Sequence, residues 1–421
     1  MSLQKYDEYH YELTGSVLNK FYIFGISKLL FMADKFTLTE VSNKKTIRRF
    51  LDFPSSLYTN DSNWIRPLDE DIEKVFSPTK NKFYRKGNAT RWILTNNKKV
   101  VGRIAAFYSE KSKGKDLQKT GGCGFFDCID DKEASKILFD VSKNWLFKHG
   151  MEAMDGPINF GSRENFWGCL AEGFYEPIYK MPYNHGYYNE LFLDYGFQNY
   201  FNQYTFHVSL VPGALDPAIT RKAAKIRKDP TIKFGFYEKS NQSKMAKNFV
   251  AIFNAAWASF PGVKPVTIKQ ASSVFSSMKQ IIDPKLMIFA YHNDEPIAFF
   301  IMIPDLYQIM RKFNGSFNMV NKLKLLFDLK IRKVCTRAVG LIFGVIPEFQ
   351  GKGVAEGMIV YFEDEVADGV NYTDLEMNWI GDFNPKMIRL AKQIGGKVRK
   401  THITYRYLFD RTKKFERAKV L

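Results

Sequence analysis

The sequence predicts an α/β protein made of two tandem copies of one mixed unit. Three observations predict it. Apolar strands alternate with amphipathic helices from Phe36 to the C-terminus. The second half repeats the element order of the first, and each half closes on helix, glycine, strand. The closing glycines, Gly196 and Gly395, stand 199 positions apart (395 − 196). A chain of 421 residues, 45% hydrophobic and 16% aromatic, is too long for one ordinary domain and apolar enough to fill two cores.

The first unit starts with a short helix over Asn43–Leu51, expected to end before Phe53-Pro54. Arg91–Leu94 and Val100–Phe107 are strands, and Asn96-Asn97 between them tolerates the positive φ of a tight hairpin. Gly124–Ile129 is a strand. Lys132–His149 puts Ala134, Ile137, Leu138, Val141, Trp145 and Leu146 on one helix face and stops at Gly150. A strand over Met154–Phe160, a helix over Tyr187–Tyr195 and a strand over Tyr200–Leu210 close the half. Pro212–Pro230 carries Arg221, Lys222, Lys225, Arg227 and Lys228, and is either a basic helical linker or a helix with a solvated face.

The second unit has a strand over Ile232–Tyr237, helices over Met245–Trp257 and Ser272–Ile282, and a hairpin of Leu286–Tyr291 with Ile297–Ile303. Then come a strand over Ala338–Ile346, a helix over Gly353–Asp368 and a strand over Thr373–Ile380. A helix over Pro385–Ile394 and a strand over Lys400–Phe409 end it. The expected division is an N-terminal extension (1–35), a first domain (36–210), a basic linker (211–231), a second domain (232–410) and a basic tail (411–421). The insertion Leu306–Arg337 holds eight basic residues against one acid, Asp328, with Leu323, Leu325, Leu326, Phe327 and Leu329 among them. It is either a weak contact for an anionic membrane surface or a helix packed on its own domain.

The net charge of +18 favours an anionic partner: nucleic acid, an anionic membrane face or a polyphosphate cofactor. Four cysteines without CxxC or zinc spacing exclude a disulfide framework and point to a reducing, cytoplasmic compartment. Six scattered histidines without HExxH give no metal site. Val17–Ala33 is apolar but interrupted by Lys20 and Lys28, too short for a span and wrongly flanked for a signal peptide. Met32-Ala33-Asp34 resembles a natural start, so residues 1–31 are expected to be dispensable for the folded core.

One stretch carries chemistry: Gly344-Val345-Ile346-Pro347-Glu348-Phe349-Gln350-Gly351-Lys352-Gly353-Val354-Ala355. It follows an apolar strand and opens a helix. Glycines there let backbone N–H groups converge on an anion, and the helix N-terminus adds partial positive charge. A pyrophosphate fits such a cradle, with Lys352 in reach of it.

Strand, Val-x-Pro-x-x-Gln-x-x-Gly-x-Ala, helix resembles the acetyl-CoA motif Q/R-x-x-G-x-G/A of the GNAT superfamily, with Gln350, Gly353 and Ala355 in its key places. The likeness covers 232–410 with the motif and 36–210 by element order alone, where Gly124-Phe125-Phe126-Asp127-Cys128-Ile129-Asp130 lacks the cradle. The whole resembles a bacterial double-GNAT protein: two GNAT-like lobes, each a mixed central sheet flanked by helices. The resemblance implies an N-acyltransferase moving an acetyl or other acyl group from acyl-CoA to a primary amine of a small molecule or peptide. The cofactor-binding residues it implies are Val345, Gln350, Gly351, Lys352, Gly353, Val354, Ala355 and Asn384, with no metal. Backbone N–H groups near Val345 would stabilise the oxyanion.

Glu376, beside the motif strand, is either the general base or the partner of a Lys or Arg. Asn378, on the same face, either holds substrate or is structural. The family's closing helix, N-x-x-A-x-x-L-Y-x-x-x-G-F, matches at Asn384, Leu390 and Gly395. The tyrosine that serves as general acid is replaced by Ala391, and the phenylalanine by Gly396. Tyr405 and Tyr407 are either substitutes or core. The loops 155–160 and 181–186, with Asn254 and Trp257, are candidates for the acceptor pocket or for a seal between the halves. A Fem-like aminoacyl transferase using charged tRNA and a non-catalytic CoA-binding protein are the competing readings. No specific nucleic-acid contact is expected, because no recognition motif appears.

Overall fold

The first strand among the described residues is β1 (Thr37–Glu40), which pairs antiparallel with β2 (Gly87–Asn96), and β2 turns into β3 (Lys99–Ser109). Asn97 and Lys98 take positive φ in that hairpin, so the turn sits one residue later than expected. The structure is a computed structural model and describes residues 35–109, 118–211, 213–257, 264–367, 369 and 371–420. The expected extension and its apolar stretch Val17–Ala33 lie outside the described residues.

Helix α1 (Lys44–Leu57) does not stop before Phe53 but runs through Pro54. Pro54 has no N–H for the Phe50 carbonyl one turn back. The Arg103 guanidinium donates to that carbonyl instead, at 2.7 Å. After α2 (Asp69–Val75) and the first hairpin come β4 (Thr120–Cys128), α3 (Lys132–Lys148), β5 (Ala153–Gly156) and β6 (Cys169–Glu172). Then follow α4 (Tyr188–Tyr195), stopped by left-handed Gly196, and β7 (Gln198–Ser209).

The second half runs α5 (Pro217–Arg227), β8 (Ile232–Phe236), α6 (Gln242–Trp257), α7 (Ile268–Met278), β9 (Met287–His292) and β10 (Glu295–Pro304). It continues through α8 (Tyr307–Met310), α9 (Met319–Lys330), β11 (Arg337–Val345), α10 (Val354–Ala367), β12 (Asp374–Gly381), α11 (Pro385–Gln393) and β13 (Lys397–Leu408). The basic stretch is helix α5. Its Ile219 and Ala223 are buried in the second core, while Lys222 and Arg227 pair with Glu356 and Asp364 of α10.

The thirteen strands among the described residues form one sheet, in the order β1-β2-β3-β4-β5-β13-β7-β12-β11-β10-β9-β8, with β6 beside β13. The two halves exchange their last strands. β7 leaves the first half and pairs antiparallel with β12, placing Phe206 and Val208 against Leu375 and Met377 in the second core. β13 returns to pair with β5, and its Tyr405 and Tyr407 join the first core, Tyr405 stacked on Phe192 at 5.3 Å. Residues 200–210 and 400–409 are the strands expected, yet each completes the sheet of the other half.

Candidate functional site

The motif strand β11 and its neighbour β12 run parallel only from Arg337/Asp374 to Gly340/Met377. Beyond that point β11 stays on β10 to Val345, while β12 bulges and stays on β7. A wedge therefore opens between them. Ile346 N–H bonds Ile297 of β10 at 3.0 Å. Because hydrogen-bonding direction alternates along a strand, Phe343 and Val345 turn their backbone groups into the wedge. Gln350 Nε2 donates to the Val345 carbonyl at 3.0 Å, pinning the loop to the strand end.

The loop ends on Gly351 (φ +74°) and Gly353 (φ +92°), conformations that favour glycine. The first helical bond of α10 runs from Gly357 N–H to Gly353 C=O at 2.8 Å. The N–H groups of Val354, Ala355 and Glu356 thus have no acceptor within the helix. They open on a cleft of about 580 Å³ lined by Gly344, Val345, Gln350, Gly351, Gly353, Ala355, Asn384 and Lys386 among others. Free helical donors, positive-φ glycines and Lys386 on the cleft wall fit a diphosphate.

The first half has closed the equivalent place. Asp131 caps α3, its carboxylate accepting from Glu133 N–H and Ala134 N–H at 2.9 and 3.0 Å. The Ile158 carbonyl lies where a Cβ on Gly124 would sit, 1.9 Å away. One helix N-terminus is spent on its own aspartate and the other is open.

The cleft continues into a chamber of about 300 Å³ in the wedge. The two share Trp257, Phe343, Asn384 and Met387. Glu164, Leu341, Ile342, Asn378 and Trp379 also line the chamber. Glu164 is the one carboxylate among those lining residues. It comes from the β5–β6 loop of the first half, held in place by Trp379 Nε1 donating to the Arg163 carbonyl at 3.0 Å. Beside the chamber, and sharing Leu341 and Ile342 with it, lies an apolar groove of about 400 Å³ between α6, α7 and the sheet, lined by Val266, Ala271, Phe275, Met278 and Ile301 among others.

The structure brings Val345, Gln350, Gly351, Gly353, Ala355 and Asn384 to the cleft and Asn378 to the chamber. Asn384 also caps α11 through Met387 N–H at 3.2 Å, and Asn378 Oδ1 accepts from Trp379 N–H at 3.0 Å. The Val354 side chain is core and contributes only its backbone. Lys352 lies over the Phe349 ring at 5.2 Å.

Glu376 is not at the chamber. It is fully buried on the other face of β12, bonded to Lys400 of β13, with Arg399 Nε 3.7 Å from its second oxygen. Burial pulls the Lys400 ammonium below its ordinary pKa, against the pull of Glu376. Glu376 meets Lys400 across the intervening β7, and the bulge of β12 after Met377 carries Asn378 to the chamber, so the two do not share a face as the sequence suggested. Tyr405 and Tyr407 are likewise removed from the cleft by the strand exchange. Tyr405 OH donates to Asn189 at 2.8 Å. Ala391 is buried, and a Cβ on Gly396 would stand 2.5 Å from the Ala391 carbonyl, so the family's phenylalanine has no room there.

The loops 155–160 and 181–186 bond to β13 of the second half, the Pro182 carbonyl lying 3.2 Å from His402 Nε2. Asp155 binds Arg406 through two bonds of 2.7 and 3.0 Å. Pro157 and Met181–Asn184 line a separate pocket of about 90 Å³. Asn254 bridges Val266 N–H and C=O, whereas Trp257 does line cleft and chamber. Glu164 escaped sequence reading because its only local signal is a polar run, Ser162-Arg163-Glu164-Asn165. Among the described residues no group of His, Cys, Asp and Glu is arranged to hold a metal, and no helix is long and apolar enough to cross a membrane.

No family model matches the chain. Among solved structures it superposes on the GCN5-related glucosamine N-acetyltransferase region of a fungal multi-domain GH3 beta-N-acetylglucosaminidase. The TM-score is 0.51 at 13% identity, over 89% of this chain and 38% of that longer one. The fold is the GNAT fold, present in tandem. The chain is also 27% identical over 371 residues to Protein YghO of Escherichia coli (strain K12), covering 86% of this chain and 93% of that one. It is 24% identical over 371 residues to a bacterial ceramide synthase of Caulobacter vibrioides, covering 87% and 95%.

Proposed function

We propose that the protein transfers an acyl group from acyl-CoA to a primary amine, with the thioester held by the second half alone. The observation that carries this reading is the continuous path from the open N-terminus of α10 through the wedge to a chamber with one carboxylate. The diphosphate of CoA would lie on the N–H groups of Val354–Glu356, with Gly351 and Gly353 giving it room. The wedge-facing N–H groups of Phe343 and Val345 suit the thioester oxygen as charge develops on it.

The amine nitrogen attacks the thioester carbon, the C–S bond breaks and CoA leaves as thiolate. Glu164, directly or through water, takes the proton the nitrogen sheds. A thiol of pKa about 8.5 is a tolerable leaving group near neutral pH without a tyrosine at position 391. The apolar groove beside the chamber favours an acyl chain or an amine longer than acetyl or a peptide side chain. The name of the Caulobacter relative supports the same choice. CoA use and four buried free cysteines suit a cytoplasmic site of action.

The test is thiol release from acyl-CoA on addition of an amine, with the N-acyl product identified by mass spectrometry. CoA binding without thiol release across short- and long-chain amines would leave a CoA-binding protein, and acyl transfer only from charged tRNA would leave the Fem-like reading.

A further inference from the structure

Helix α9 has apolar residues on two opposite sides. Leu325 and Leu329 are buried in the second core. Met319, Val320, Leu323, Phe327 and the following Ile331 point outward and are 54% to 69% exposed. At 3.6 residues per turn these five fall in an arc of roughly 120° facing away from the core. A solvated helix face does not look like this, and soluble monomers rarely expose so continuous a stripe.

Basic residues frame it. Lys324 lies just past one edge of the arc, Lys330 lies near its other end between Met319 and Leu323, and Lys312, Arg332 and Lys333 are exposed nearby. The segment's only acid, Asp328, is held by Arg332 at 2.9 Å. Lysines beside an outward apolar stripe complement an anionic bilayer, where apolar side chains enter the acyl boundary and ammonium groups stay among phosphates. The helix is also tied to the apolar groove, since Lys330 Nζ donates at 3.1 Å to the carbonyl of Ile282, which lines it.

We propose that the outer face of α9 docks the protein on an anionic membrane surface. Docking stands on this face alone; that it brings the groove to a lipid-borne chain rests on the acyl-transfer reading. The experiment is co-sedimentation of the full chain with phosphatidylcholine vesicles, and with vesicles about one third phosphatidylglycerol. The chain binds the anionic vesicles preferentially and is released by salt. Leu323→Glu with Phe327→Glu lowers binding about 10-fold or more, and Lys324→Gln with Lys333→Gln lowers it several-fold. All four side chains are exposed or at the rim, so circular dichroism and the thermal midpoint stay unchanged. The proposal is overturned by a wild-type chain that ignores both vesicles, or by a Leu323→Glu/Phe327→Glu variant that binds as well as wild type. It is also overturned if that variant turns a dimer into monomers while vesicles bind neither form, because the stripe would then be a contact between copies. If vesicles bind and thiol release fails, docking stands and the acyl-transfer reading falls.

Discussion

Replacing Glu376 by Gln separates a structural ion pair from a general base. The Glu376 carboxylate is fully buried against Lys400, whose side chain is 1% exposed, and Arg399 is its other cationic neighbour. The amide of the Glu376→Gln variant would keep the shape and leave Lys400 charged in a dry place. Breaking a buried pair on one side costs about 3 to 5 kcal/mol, because the surviving charge keeps its desolvation penalty and loses its partner. At an m value of about 3 kcal/mol/M the urea midpoint drops by roughly 1 to 2 M. Adding Lys400→Met removes the stranded charge, and the double variant should recover most of the loss. Activity of the folded fraction should change little in either variant, since the pair lies on the far face of β12 from the chamber. Urea unfolding of the two single variants and the double variant, with thiol release on each, completes the cycle. A Glu376→Gln variant that keeps its midpoint and loses about 10²-fold in rate, unrescued by Lys400→Met, would refute this reasoning and make Glu376 the base.

Gly353→Glu should abolish CoA binding in calorimetry and leave the fold intact. It puts a side chain at φ +92° and a negative charge on the open helix N-terminus. Glu164→Gln should lower kcat by about 10² with CoA affinity unchanged, and the wild-type rate should keep rising above pH 8 as more amine is neutral. An alkaline fall would require a general acid that the cleft does not show. Each methylene added to the acyl chain or the amine should tighten KM by up to about 4-fold until the groove is full, since burying one is worth about 0.8 kcal/mol. Ala271→Phe should move the preference to shorter chains. His402 is fully buried, with Nε2 3.2 Å from the Pro182 carbonyl, and burial lowers its pKa from 6.5 to about 3. Its neutral form is favoured in the fold, so its contribution is full above pH 6.5 and is lost as pH falls toward 3. The unfolding free energy should decline across that window at up to about 1.4 kcal/mol per pH unit, and His402→Gln should flatten the decline.

Local chemistry was enough to read the α/β class and most strands and helices. Periodicity, hairpin asparagines and glycines at a helix start act over a few residues, and Gln350, Gly351 and Gly353 line the cleft at the start of α10. The run of Pro54 through α1 depended on Arg103, about fifty positions on, and no local rule reports that donor. The exchange of β7 and β13 is a choice of partner between strands of similar pattern, and only packing of Phe206 and Val208 into one core and Tyr405 and Tyr407 into the other makes it. That choice gave Glu376 a lysine for a neighbour and carried two tyrosines away from the cleft. It is also tertiary structure that brings Glu164, on a loop of the first half, to a chamber of the second. Alternation along β12 fixed that Glu376 and Met377 face opposite ways; which face met water, charge or core was decided by strands that lie far away in sequence, because burial is a property of the assembled sheet and not of the strand.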